Sequence, residues 1–236
     1  GLRRVPGQVD GEDLDMDAVI GRLADIQAGI EPSERIYVRR EKREREVAAA
    51  FLVDLSGSTS RQVEQGRRII DIEKQGLVLL CEALSAIGDQ FAVYGYSGQG
   101  RHLVDFVVVK DFDELVTGRA GAKLGGMVPL QQNRDGAAIR HATTKLLARQ
   151  AKMRLLVMIS DGRPLDDGYK DEYSLEDTRM ALREARASGI EPVCITIDKQ
   201  ADPYLRRMYG DVRYVVIDRV EGLPEKLPRI YHRLTA

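Results

Sequence analysis

The chain has 236 residues, 43% of them hydrophobic and 31% charged, with a formal net charge of −1. This is the balance of an ordinary soluble globular protein, and a near-neutral total excludes any global pull toward nucleic acid or anionic lipid. No apolar run approaches the ~20 residues that cross a bilayer, and no signal-peptide-like segment follows the N-terminus, so a cytoplasmic protein without membrane insertion is expected.

The chain opens on Gly1-Leu2 without an initiator Met and reads as a segment of a longer protein. Residues 1–46 read as an arm or linker. An acidic stretch leads to one short amphipathic helix over 17–28, with Val19, Leu23 and Ile26 on one side; Pro32 and the charged run RIYVRREKRERE follow. Residues 47–236 read as one domain. VAAAFLVD at Val47–Asp54 is a short apolar run suited to a parallel strand buried on both faces. Ile69–Ile87 is helical, apolar around most of its circumference, and Gly88 ends it. Residues 91–96 and 102–109 are strands joined by the turn SGQG, a hairpin that supplies one antiparallel edge strand.

Helices are expected over 113–124 and 136–148, a buried strand over LLVMIS at 155–160, and a helix over 174–187 with Ser174 as its N-cap. Strands over 191–197 and 214–217 and a helix over 223–234 close the chain. Strands alternating with helices predict an α/β fold: a doubly wound, mostly parallel sheet with one antiparallel edge strand and helices on both faces. Ligands are then expected at the carboxyl ends of the strands. Cys81 and Cys194, the only cysteines, lie in separate apolar runs and read as two buried, reduced thiols.

Two of the buried strands end in carboxylates, Asp54 and Asp161. A carboxylate there is costly to desolvate unless something such as a cation compensates it. Asp54 is followed by Ser56 and Ser58, so one tight loop offers three oxygen donors, and Gly57 lets that loop curl. Hard oxygens with few charges suit Mg²⁺ (or Mn²⁺), whereas zinc would want cysteine or histidine, and none is near in sequence.

Asp54-x-Ser56-x-Ser58 resembles the metal-ion-dependent adhesion site of von Willebrand factor A domains. The resemblance extends to two more segments of that site: Asn133-Arg134-Asp135-Gly136, where the family has Thr-x-x-Gly ahead of a helix, and the strand-terminal Asp161-Gly162. It implies a cation held by Asp54, Ser56, Ser58, Asn133 and Asp161, with one position open to a carboxylate from a partner. Asn133 stands where the family has Thr; its amide oxygen is the favoured donor, and Asp135 is the alternative. VKDFDEL, GAAIRHATTKLLA, ISDGRPLDDGY, SLEDTRMALREAR, ITIDKQADPYL and LPRIYHRLT are further similar to the C-terminal domain of NorD/CbbO-type proteins. That resemblance implies a non-enzymatic cytosolic adaptor between a MoxR-family AAA+ ATPase of the NorQ/CbbQ type and a client, nitric oxide reductase or Rubisco. The client would supply the Asp or Glu that meets the metal.

Residues 161–177 are rich in acid. Arg163, Asp166, Asp167 and Tyr169, with Asp135, are candidates for touching a partner beside the metal, and Tyr173 is a further anchor. Two enzymatic alternatives compete. Gly95-Tyr96-Ser97-Gly98-Gln99 resembles a nucleophile elbow, but Gln99 replaces its final Gly and a strand, not a helix, follows. A phosphotransferase with Asp54 as nucleophile would want an acid where Ser56 stands. No Gly-x-x-x-x-Gly-Lys-Ser/Thr loop is present, so ATP hydrolysis is expected from another chain.

Overall fold

The computed structural model describes residues 2–42, 46–63, 66–197 and 202–235. Two compact units make up the chain, Gly1–Arg45 and Glu46–Ala236. The first was expected as an arm but contains a small sheet. β1 (Leu2–Gln8), β2 (Asp13–Leu14), helix α1 (Met16–Gln27) and β3 (Tyr37–Lys42) follow one another, and the antiparallel order is β1-β3-β2. The charged run therefore pairs on both edges through its backbone, which asks little of its side chains; Val38 is its buried apolar residue. Residues 43–45 of that run lie outside the described residues. Asp15 caps α1 by accepting the Ala18 N–H at 3.4 Å, and Met16, Ile20, Leu23 and Ile26 are exposed.

The second unit holds β4 (Val47–Asp54), α2 (Ile69–Ile87), β5 (Gln90–Gly98), β6 (Val104–Lys110), α3 (Gly118–Gly125), α4 (Asp135–Leu147) and β7 (Met153–Ser160). It continues with α5 (Asp171–Ala187), β8 (Glu191–Thr196), α6 (Asp202–Tyr209), β9 (Arg213–Val216) and α7 (Leu223–Thr235). The sheet order is β6-β5-β4-β7-β8-β9, parallel throughout except for the β5–β6 hairpin. β4 alternates strictly between two cores. Ala49, Phe51 and Val53 join α2 and α7 on one face, while Ala48, Ala50 and Leu52 join α4 and α5 on the other. This explains a strand with no polar residue before its last position. Both thiols are free and buried, and among the described residues no helix is long and apolar enough to cross a membrane.

α2 has the expected bounds, and Gly88 caps it at φ 79° in the left-handed region. Three local expectations shift. The helix expected over 113–124 is confined to α3, which leaves 111–117 as turns. α5 begins at Asp171, so Ser174 lies inside its first turn and donates back to Asp171 O at 3.1 Å instead of capping. α6 was not anticipated. Chain direction across the sheet reverses between β4 and β7, and the crevice for a ligand falls at their carboxyl ends.

Candidate metal centre

β4 and β7 run side by side in parallel, with Val53 opposite Ile159, so Asp54 and Asp161 arrive together from two strands. The loop after β4 is fixed at once. Leu55 N–H donates to Tyr96 O at 2.9 Å, and the Gly57 N–H donates to Gln131 O at 2.7 Å. A Cβ on Gly95 would lie 2.4 Å from Leu55 Cδ1, so the glycine on β5 makes room for the buried side chain that anchors this loop. A short 3₁₀ turn, Gly57–Ser60, then brings Ser58 back over the strand ends.

Asp54 is fully buried. Its Oδ1 accepts the Ser56 N–H at 2.7 Å; its Oδ2 accepts the Asn133 amide at 2.7 Å and the Ser160 hydroxyl at 3.2 Å. Ser56 Oγ and Ser58 Oγ share a hydrogen bond of 2.9 Å, and Ser58 Oγ donates to Asp161 Oδ1 at 2.7 Å. Four of the five expected donors, Asp54, Ser56, Ser58 and Asp161, thus form one connected group of oxygens.

Asn133 is brought to the group in another role. Its Oδ1 accepts the Leu165 N–H at 2.7 Å while its Nδ2 donates to Asp54. A flipped amide would set oxygen against carboxylate and NH₂ against N–H, so the partners fix its orientation. The carbonyl oxygen is committed to the loop after β7. In this structure Asn133 thus orients Asp54 through its amide N–H while its oxygen, the expected donor, faces the loop after β7.

Electrostatics point the same way as the donors. Burial first, then the charge of Asp161, pushes the Asp54 carboxyl up to about 6, against the Ser56 N–H and the Asn133 amide, which lower it. Asp135, fully buried at the start of α4, is held well above the usual carboxylate range by burial and by the Asp54 charge. Its Oδ1 accepts from Tyr96 Oη at 3.0 Å, and its Oδ2 meets no donor. Among the described residues no group of three or more His, Cys, Asp or Glu stands close enough to hold a metal. A cation held here would rest on two carboxylates and two hydroxyls, the hard and lightly charged set that suits Mg²⁺.

The expected partner-contact residues divide by exposure. Arg163 and Asp167 are exposed, with Arg163 stacked 4.4 Å from the Tyr204 ring centre. Asp135, Asp166 and Tyr169 are buried and cannot touch a partner in this conformation, a correction to their expected role. Asp166 accepts from Arg134 Nε at 2.8 Å and from the Gly100 N–H at 2.7 Å. Arg134 also donates to Asp167 O at 2.9 Å and lies 4.4 Å from the Tyr169 ring centre. This pair ties the acid-rich loop to the β5–β6 turn and the start of α4.

Ser97 is equally committed. Its buried hydroxyl donates to Gln132 O at 2.8 Å and accepts the Gln131 N–H at 3.0 Å, which fastens the loop ahead of α4. Sequence reasoning missed Ser160 and Glu73. Ser160 is the one hydroxyl in LLVMIS. Glu73 is the one charge on the buried stripe of Ile69, Ile70, Ile72, Gly76 and Leu77, an interruption visible in the helical spacing.

A family model for the von Willebrand factor type A domain matches residues 50–223, and the chain belongs to that family. The uncharacterized protein PA0525 of Pseudomonas aeruginosa is 39% identical over 235 residues, 99% of this chain and 38% of its own length. Protein NorD of Brucella melitensis is 36% identical over 228 residues, 96% of this chain and 36% of its own. The chain thus spans little more than a third of these relatives. Among solved structures, the PilB minor pilin from Streptococcus sanguinis superposes with a TM-score of 0.63 at 17% identity, over 84% of this chain and 64% of that one, a likeness of fold alone.

Proposed function

We propose that this domain is an adaptor that grips a partner's carboxylate through a divalent cation, Mg²⁺ or Mn²⁺, at Asp54, Ser56, Ser58 and Asp161. The observation that carries the reading is the connected oxygen group at the carboxyl ends of β4 and β7, built around a fully buried Asp54. A bound dication supplies a Lewis-acid position for an anionic oxygen. The chain's own residues hold the geometry. The Ser56 N–H, the Asn133 amide and the Ser160 hydroxyl fix both oxygens of Asp54, and Ser58 tethers Asp161. Arg134 and Asp166 hold the rim, while Arg163, Asp167 and Tyr173 are exposed for contact with the partner.

The similarity to proteins named NorD supports a protein-interaction role; in this reading a MoxR-type AAA+ ATPase is the motor and the client presents an Asp or Glu. The chain lacks a phosphate loop of its own, so force on the client comes from the motor and passes through this grip. The test is reconstitution of the whole protein with its cognate ATPase and client. Asp54→Ala should abolish client remodelling, and the protein alone should hydrolyse neither ATP nor esters. Full remodelling by Asp54→Ala would remove the cation from the account. Esterase activity lost in Ser97→Ala would favour the hydrolase.

A further inference from the structure

Glu73 sits on α2 with no exposed surface, among apolar neighbours, and neither of its carboxyl oxygens meets a hydrogen-bond donor. A buried polar group without a partner costs roughly 1–3 kcal/mol, and more when charged, so chance alone does not keep it there. Its position is not arbitrary. α2 packs against the 3₁₀ turn that carries Ser58. Burial, followed by the charges of Asp54 and then Asp161, holds the Glu73 carboxyl well above its usual range. The side chain therefore lies within the field of both strand-end carboxylates. It does not stand close enough to form a three-carboxylate group with them. Direct ligation is not its role.

Mg²⁺ keeps several of its waters and uses one or two carboxylates directly, so acceptors one layer out are part of how such a cation is held. We propose that Glu73 is an outer carboxylate of the cation site, accepting hydrogen bonds from the waters of a cation held by Asp54, Ser56, Ser58 and Asp161. This rests on the cation reading above and assigns that site a floor as well as a rim. It also fits a small, strongly hydrated dication better than Ca²⁺, which takes 6–8 oxygens directly. Glu73 then strengthens the hold on the cation without occupying the open position.

The experiment titrates Mn²⁺ into the whole chain, followed by electron paramagnetic resonance, for wild type, Glu73→Gln, Glu73→Leu and Asp54→Ala. Metal-free melting of each protein is recorded alongside. Asp54→Ala should lose binding altogether, and both Glu73 variants should bind Mn²⁺ about tenfold more weakly, the scale seen for outer groups of metal sites. Metal-free Glu73→Leu should melt above wild type, because a buried acid without a partner has been replaced by an apolar side chain. Unchanged Mn²⁺ affinity in both Glu73 variants, with Asp54→Ala inactive, would overturn the role of Glu73 and leave the cation site standing. A Glu73→Leu protein that melts below wild type would assign Glu73 to structure instead. Failure of wild type itself to take Mn²⁺ would overturn both readings.

Discussion

Arg134 with Asp166, and Asp54 with its neighbours, are two polar clusters buried at the same end of the sheet. In the first, the side chains are 10% and 0% exposed and each charge is answered. The guanidinium reaches a carboxylate and a carbonyl, and the carboxylate also receives the Gly100 N–H. Burial raises the Asp166 carboxyl, but the Gly100 N–H and Arg134 outweigh it and hold it below its usual range. In the second, Asp54, Asp135 and Glu73 are fully buried, and all three carboxyls are raised by burial first. Their partners are hydroxyls, an amide and a backbone N–H, or none. The contrast teaches that burial alone does not mark a functional site. A buried charge balanced within the protein is architecture, whereas Asp54, buried beside Asp161 with no cationic side chain to balance it, is where the proposed cation would be held.

The largest effect expected is on the balanced cluster. Arg134→Ala leaves the Asp166 carboxylate buried with backbone N–H donors but no balancing charge, and should cost about 3–5 kcal/mol in urea unfolding. A loss below ~1 kcal/mol would show that the pair is not what holds the loop after β7, and the comparison would fail on that side.

The next effect separates the clusters by pH. Asp54 has a folded value of about 6 against an ordinary 3.8, so the folded state holds its proton more tightly than the unfolded chain. Its contribution to metal-free stability is therefore complete below 3.8 and is lost as pH rises through about 6, a change of roughly 3 kcal/mol. Denaturant titrations across that range should show stability falling with pH. Asp54→Asn should flatten the slope and raise stability at neutral pH. A slope of the opposite sign in wild type would contradict the burial argument.

Gly95→Ala should come third. Its Cβ would press within 2.4 Å of Leu55 Cδ1, and a buried leucine that anchors the Asp54 loop can yield only at a cost of ~1–3 kcal/mol. Weakened Mn²⁺ binding should accompany that loss; unchanged stability would mean the loop is set by other contacts. The smallest effect is Ser97→Ala, which strands the Gln131 N–H and should cost ~1 kcal/mol in thermal unfolding. No loss would mean the hydroxyl fastens nothing.

Much of the fold is legible in the sequence. Val47–Asp54 could be read as a doubly buried strand because it is apolar on both alternations, and Ile69–Ile87 because its apolar positions and Gly88 mark both face and end. That Asp54 and Asp161 meet at the ends of two buried strands was legible because a carboxylate at the end of an apolar strand is expensive. The rest depended on contacts between segments distant in sequence. The amide orientation of Asn133 is decided by Leu165, and the burial of Asp166 by Arg134 and Gly100. Acid-rich spacing says surface until a particular arginine folds onto it. The sheet in the first unit escaped notice for the opposite reason, since its strands are held by backbone pairing and carry little apolar pattern.

Calorimetric titration of Mn²⁺ into metal-free wild type and Asp54→Ala at neutral pH tests the central claim most directly. One bound ion is expected in wild type and none in the variant, with circular dichroism showing both proteins folded. Equal binding by the two, or none by either, would contradict it.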